Sequence, residues 1–301
     1  MKRYGDIIKD LIVQDNRYYV LTAENMGPIY YIMDDIRDNY LDVGIAEQNM
    51  LGVAAGLAIR GRIPIVHAMS SFLVMRAFEF IRTDIGYGNL NVKLVGTAAG
   101  LLSEKNGATH QCVEDIALMH SIPNMHIYAP ADNDDMIKMQ KAILKEDNPS
   151  YMRYNDSIAK YEHADFTVGK SEVIGNGKDF VIITYGIMFA TALELKELLH
   201  SEGSDVTLIN LRAIVPLDEE TIVETVKRTK SVVVIEDHLE YGGVSTMLRE
   251  LLYSKHILKD LYSFSLKNYF KPGDISSVLC NEGLSAEAIY NELCNCGTIN
   301  N

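Results

Sequence analysis

The sequence has few cysteines, no long apolar run and no concentration of positive charge, and each shortage excludes a class of protein. Four cysteines in 301 residues cannot form a disulfide scaffold. Cys294 and Cys296 make a lone Cys-x-Cys near the tail, without the further Cys or His at set spacing that a metal site needs. No stretch of 18 apolar residues is present, so no membrane-spanning helix is expected. The start, Met-Lys-Arg-Tyr-Gly-Asp, leads into an amphipathic segment and does not read as a signal peptide. These features together predict a reduced, cytoplasmic protein. The 28 basic residues are scattered and outnumbered by 41 acidic ones, for a net charge of −13, which argues against nucleic-acid binding. No internal repeat and no low-complexity tract occurs.

What is present is a large apolar fraction, 48%, in a chain long enough for about two domains. Short apolar runs alternate with helical patterns. Strands are expected at 18–22, 40–43, 63–68, 92–98, 126–130 and 151–154, then at 180–185, 206–210 and 231–235. Helices are expected at 1–14, 71–85, 111–120 and 132–146, then at about 189–201, 218–229, 243–253 and 285–293. Such alternation with short connections means a mostly parallel α/β sheet in each half, with helices on both faces. The polar stretch 158–169 reads as a linker between a first domain at 1–157 and a second at 170–301. Pro64 must lie at the start of its strand or on an edge.

The most unusual stretch runs Gly-Ile-Ala-Glu-Gln-Asn-Met at 44–50 and continues as Leu-Gly-Val-Ala-Ala-Gly-Leu-Ala-Ile to residue 59. No charge follows Glu47 until Arg60. A helix apolar all round should be buried, and Gly61 sits where a C-cap belongs. Glu47 at the mouth of such a helix either complements the dipole there or has a chemical task, since a buried carboxylate is costly without one. Phe72, Met75 and Phe78 recur at spacing three and share a helical face. The long loop 99–110 is rich in glycine and small residues, a composition usual for functional loops. It ends at His110, placed by the expected helix at 111–120 at a helix N-terminus.

These motifs, in this order, closely resemble the C-terminal half of transketolase: Gly-Ile-Ala-Glu-Gln-Asn-Met, Ser70-Ser71-Phe72-Leu73 with Arg76-Ala77-Phe78-Glu79, Gly107-Ala108-Thr109-His110-Gln111, and Pro123-Asn124-Met125. The resemblance covers nearly the whole chain. It implies the pyrimidine-binding fold of a thiamine diphosphate enzyme followed by a transketolase C-terminal-domain-like fold. More distantly the chain is similar to 1-deoxyxylulose-5-phosphate synthase and to the beta subunits of 2-oxo-acid dehydrogenases.

The resemblance also implies roles. Glu47 would hydrogen-bond N1′ of the cofactor's aminopyrimidine and arm it for proton removal. Phe72, Met75 and Phe78 would wall that ring, with Met75 where an aromatic is common; methionine is polarisable and packs well on rings. Glu24 stands in the loop where transketolases carry an Asp near the cofactor. His110 would bind substrate oxygens and assist proton transfer. Asn106 replaces the family's Asp in Asp-Gly-x-x-His, which removes a charge from the substrate site and leaves the usual sugar preference open. Arg153 matches an Arg that grips the substrate phosphate, work suited to a bidentate guanidinium.

One family motif is missing. Gly-Asp-Gly…Asn, which holds the diphosphate through Mg²⁺, occurs nowhere in the sequence, and no other segment looks built to supply oxygen ligands to a hard cation. The expectation is therefore half of an enzyme: the C-terminal subunit of a split transketolase, moving a glycolaldehyde unit from a ketose phosphate to an aldose. Its partner would be a separate N-terminal subunit carrying the Gly-Asp-Gly diphosphate and Mg²⁺ site, in an α₂β₂ heterotetramer. The alternatives are a related carboligase with another donor and a non-catalytic structural or regulatory partner.

Overall fold

The computed structural model describes residues 2–298. The chain divides into two compact units, Met1–Ala99 with Leu118–Val168, and Gly100–Ala117 with Gly169–Asn301. The segment Gly100–Ala117 thus belongs with the C-terminal residues.

In the first unit, strands β1 (Tyr18–Thr22), β2 (Tyr40–Asp42), β3 (Ile63–Met69), β4 (Lys93–Thr97), β5 (His126–Tyr128) and β6 (Ser150–Arg153) lie in the order β5-β6-β4-β3-β1-β2. Every pairing is parallel. β3 and β4 are buried for nearly their whole length, as interior strands of a parallel sheet between helical layers should be. Pro64 is the second residue of β3, opposite Tyr19 of β1, so it lies at the start of an interior strand. Around the sheet run α1 (Tyr4–Gln14), α2 (Glu47–Ile59), the short α4 (Asp115–His120, shared between the units) and α5 (Asn133–Lys145). Asp132 caps α5 by accepting from the Asp135 amide at 3.1 Å. Gly61 ends α2 with φ +82°, the left-handed C-cap.

Two sequence expectations change here. The stretch after β3 is not one regular helix. It runs as a π-helical turn Ser71–Arg76, a single α turn α3 (Phe78–Phe80) and a second π turn Ile81–Gly86. Wide turns of this kind recur at functional sites. The helix expected from 111 begins only at Asp115: Cys112 forms an antiparallel bridge with Gly100, and the chain bends through residues 113–114 before the helix starts.

A third expectation, that α2 is buried on all sides, holds for one face. Met50, Leu51, Ala54 and Ala55 are buried over the sheet. Gly52, Gly56 and Ile59 form an outward stripe; Ile59 is 71% exposed and nothing lies within 4 Å of a Cβ built on either glycine. One chain has a single sheet face for this helix to cover, so its other side stays bare.

His67, in the middle of β3, is fully buried with its Nε2 2.9 Å from the Tyr4 hydroxyl. Burial pushes its pKa down from 6.5 to about 3. Between those values the unfolded chain binds a proton that the folded chain refuses, so stability falls as pH drops from 6.5 toward 3. The limiting slope for one proton is about 1.4 kcal/mol per pH unit. Urea midpoints from pH 6.5 to 5 are expected to fall more steeply in the wild type than in His67→Asn. Parallel curves would contradict this.

The second unit carries a five-stranded sheet in the order β12-β11-β8-β9-β7. Its strands are β7 (Glu172–Ile174), β8 (Phe180–Thr184), β9 (Val206–Asn210), β11 (Ser231–Leu239) and β12 (Asp260–Leu266), with the short β10 (Ala213–Val215) between β9 and β11 in sequence. All pairs are parallel except β7 with β9. Flanking helices are α6 (Met188–Ser201), α7 (Glu219–Arg228), α8 (Val244–Ser254), α9 (Ile275–Asn281) and α10 (Ala286–Asn295). Both units are thus mostly parallel sheets flanked by helices. Among the described residues no helix is long and apolar enough to cross a membrane. The four cysteines are free.

Candidate functional site

Parallel strands bring all their carboxyl ends to one edge, where α/β folds place ligands. In the first unit, Glu24 follows β1, Glu47 follows β2, Phe72, Met75 and Phe78 follow β3, and Arg153 ends β6. Topology alone sets these residues along a single rim.

Gly44, with φ +73°, turns the chain out of β2 into α2. Ala46 offers no side-chain cap, so Glu47 is the first acidic group at the positive end of the helix. Its side chain is only 3% exposed. Burying a carboxylate so completely demands a partner, and Arg76 provides one, with Nη1 3.5 Å from Glu47 Oε2. The same guanidinium lies over the Phe72 ring, 4.1 Å from its centroid, a cation–π distance. Gln48 Nε2 donates to the Arg76 carbonyl at 3.4 Å. Glu47, Arg76 and Phe72 therefore form one connected group, with Met75 and Phe78 half-buried on the same segment. Sequence reasoning gave Arg76 no role. Its signal was the four-residue step from Phe72, which brings a long cation back over the ring.

Glu24 is exposed and has φ +55°, and its amide donates to Asp42 Oδ1 at 2.9 Å. That carboxylate also takes the Thr22 hydroxyl at 2.7 Å, so Asp42 shapes the loop while the Glu24 side chain faces solvent. Arg153 is 3% exposed, an interior residue rather than a surface arginine.

Asn106 and His110 lie in the second unit, both half-buried. His110 stands in a turn closed by its amide to the Gly107 carbonyl at 2.9 Å, with Nδ1 2.9 Å from the Thr109 hydroxyl. Because α4 starts five residues later, His110 does not stand at the helix N-terminus expected for it. Residues Gly100–Ala117 are tied instead to β11 and to the chain around Phe270.

Thiamine diphosphate is the cofactor the sequence implied, and the first-unit rim suits its pyrimidine end. A buried carboxylate matches a ring nitrogen that must exchange a proton, and the Phe72 face, now covered by Arg76, matches a flat heteroaromatic ring. Among the described residues, no three His, Cys, Asp or Glu side chains gather where a metal ion would sit.

Comparison with known proteins agrees with this architecture. The transketolase pyrimidine-binding domain matches residues 8–160 and the transketolase C-terminal domain matches residues 169–289. The 6-deoxy-6-sulfo-D-fructose transketolase subunit SqwH of a Clostridium species is 34% identical over 254 residues, covering 83% of this chain and 79% of that one. A transketolase C-terminal section from Methanocaldococcus jannaschii is 34% identical over 297 residues, covering 96% and 93%. Among solved structures, a split-gene transketolase described as an inactive β4 tetramer superposes with a TM-score of 0.88 at 31% identity, over 97% of this chain and 96% of that one. The chain belongs to the transketolase family.

Proposed function

We propose that this chain is the C-terminal subunit of a two-polypeptide transketolase that transfers a two-carbon ketol unit from a ketose to an aldose. The observation that carries the reading is the buried Glu47 at the carboxyl edge of a parallel sheet, held beside the Phe72 ring. Thiamine diphosphate, when bound, supplies a carbon nucleophile and an electron sink for C–C cleavage. Glu47 holds and returns the proton at the pyrimidine N1′, a task for which a carboxyl group shielded from water is well placed. Phe72, Met75 and Phe78 wall the pyrimidine, and Arg76 gives up its stacking position to it. Glu24 borders this end of the site from the loop after β1. Asn106 and His110 take the substrate oxygens, and Arg153 takes the anionic end of the sugar. The diphosphate and Mg²⁺ belong to an N-terminal subunit with the Gly-Asp-Gly…Asn motif, in an α₂β₂ assembly. The near end-to-end match with a split-gene relative whose β4 tetramer is inactive supports a chain that needs this partner.

The donor is the finer question. Asn106 in place of Asp, and a relative named for 6-deoxy-6-sulfo-D-fructose, favour a donor other than the common pentose phosphates. A sulfonate and a phosphate are both tetrahedral oxyanions that a guanidinium binds alike. The test is turnover by the reconstituted enzyme with xylulose 5-phosphate, 6-deoxy-6-sulfofructose and pyruvate. Turnover of a ketose supports ketol transfer; turnover of pyruvate alone would make the chain part of another carboligase.

Arg153→Ala is expected to raise KM for anionic donors by roughly tenfold to a hundredfold, the size of one charge-assisted contact. Their uncharged analogues should change little. Because Arg153 is buried, Arg153→Lys serves as the milder variant and should lie between. Equal damage to charged and uncharged donors would make the residue structural.

A further inference from the structure

The C-terminal residues do more than pack. β11 runs on past Ile235, and its register against β12 shifts between Ile235 and Leu239. The three residues in that shift, Glu236, Asp237 and His238, are all buried. Glu236 accepts from the Val244 and Ser245 amides at the start of α8, 2.8 and 3.2 Å away. The other two face the segment Gly100–Ala117. Asp237 Oδ2 accepts from the Leu101 amide at 3.1 Å. His238 Nε2 accepts from the Ala117 amide at 3.3 Å while its Nδ1 donates to the Leu239 carbonyl at 2.7 Å. The Leu239 amide donates to the Val113 carbonyl at 2.9 Å. Consecutive residues of one strand end thus hold both ends of the loop.

Its middle is held as well. Gln111, buried, donates to the carbonyls of Phe270 at 2.8 Å and Asn106 at 3.1 Å. The Gly273 amide donates to the Glu104 carbonyl at 2.9 Å. Gly100 shows how close the Asp237 contact is: a Cβ there would lie 1.8 Å from Asp237 Oδ2, and its φ is +55°. Only glycine fits.

We infer that Asp237 and Gln111 are positioning residues, which fix the loop so that Asn106 and His110 meet the substrate in one geometry. The inference rests on the reading of Asn106 and His110 as substrate contacts. A displacement of about 1 Å in such a group costs on the order of a hundredfold in rate.

The experiment uses Asp237→Ala, Asp237→Asn and Gln111→Met. Amide hydrogen exchange on each chain should show faster exchange across residues 101–112 in Asp237→Ala and Gln111→Met, with β8 and β11 as protected as in the wild type. Asp237→Asn, which keeps an oxygen for the Leu101 amide, should restore most of the protection. In the reconstituted enzyme, Asp237→Ala and Gln111→Met should raise the donor KM and lower kcat/KM about a hundredfold, with thiamine diphosphate affinity unchanged. Wild-type exchange and kinetics in both variants would overturn the inference. So would a loss that appears equally in cofactor affinity, since that would be general damage. If Asp237→Ala does not fold, Gln111→Met and the asparagine variant decide. His110→Asn is measured alongside: full activity there, with loop exchange still controlled by Asp237, would refute the role of His110 and leave the loop anchor standing.

Discussion

Glu47→Gln should fold, assemble and bind cofactor, and lose turnover by several orders of magnitude. An ordinary acid–base residue contributes roughly 10²–10⁴. The loss here should be larger, because an amide cannot exchange a proton with the pyrimidine N1′ and the cofactor is never armed. The amide is nearly isosteric with the carboxylate and leaves no buried charge, and Arg76, at 3.5 Å, is half exposed and stays solvated when its partner is neutral, so the fold should survive. The measurement is kcat of the reconstituted variant together with its circular dichroism spectrum and mass. Near-wild-type turnover would remove Glu47 from the chemistry.

Gly56→Arg should separate assembly from catalysis. Gly56 lies on the bare stripe of α2 with Gly52 and Ile59, where an added Cβ has nothing within 4 Å among the described residues. An apolar stripe of this kind is a liability in water unless another surface covers it. Covered by a subunit, an unpaired guanidinium there would cost about 3–5 kcal/mol, a weakening of roughly 10²-fold to more than 10³-fold. Ala54 is the wrong site for this test, although it lies on the same helix. It is fully buried inside its own subunit, so a large residue there would break the fold before it reached an interface. Sedimentation of Gly56→Arg with the partner should show free subunits while the lone chain melts as the wild type does. Intact assembly would move the interface elsewhere.

The strand and helix alternation was readable because the interior strands are mostly apolar runs, β3 and β8 above all. Edge strands were not. β12 is mostly half-exposed and mixes Asp, Ser and Tyr, and β7 is three residues long and antiparallel. The cap at Gly61 followed from local chemistry and stands as expected. The helix expected at 111–114 failed because the Gly100–Cys112 bridge is a contact between distant residues, which no local pattern encodes. The open face of α2 was hidden for a similar reason: an all-apolar sequence says that a helix seeks cover, not which chain provides it. At the candidate site, Glu47 stood out because a charge at the head of a long uncharged run is conspicuous. Arg76 did not, since its importance lies in reaching back to Glu47 across 29 residues. The work of Asp237 was equally silent, because its partner Leu101 is 136 residues away.

The central claim is that this chain holds the pyrimidine end of a site whose diphosphate and metal end lies on another polypeptide. The most direct measurement is a calorimetric titration with thiamine diphosphate and Mg²⁺, with mass by light scattering and a ketol-transfer assay, on the lone chain and on its mixture with the N-terminal subunit. The lone chain should bind the cofactor weakly and turn nothing over, and mixing should bring tight binding, a heterotetrameric mass and activity together. Tight cofactor binding and full activity from the lone chain would contradict the account.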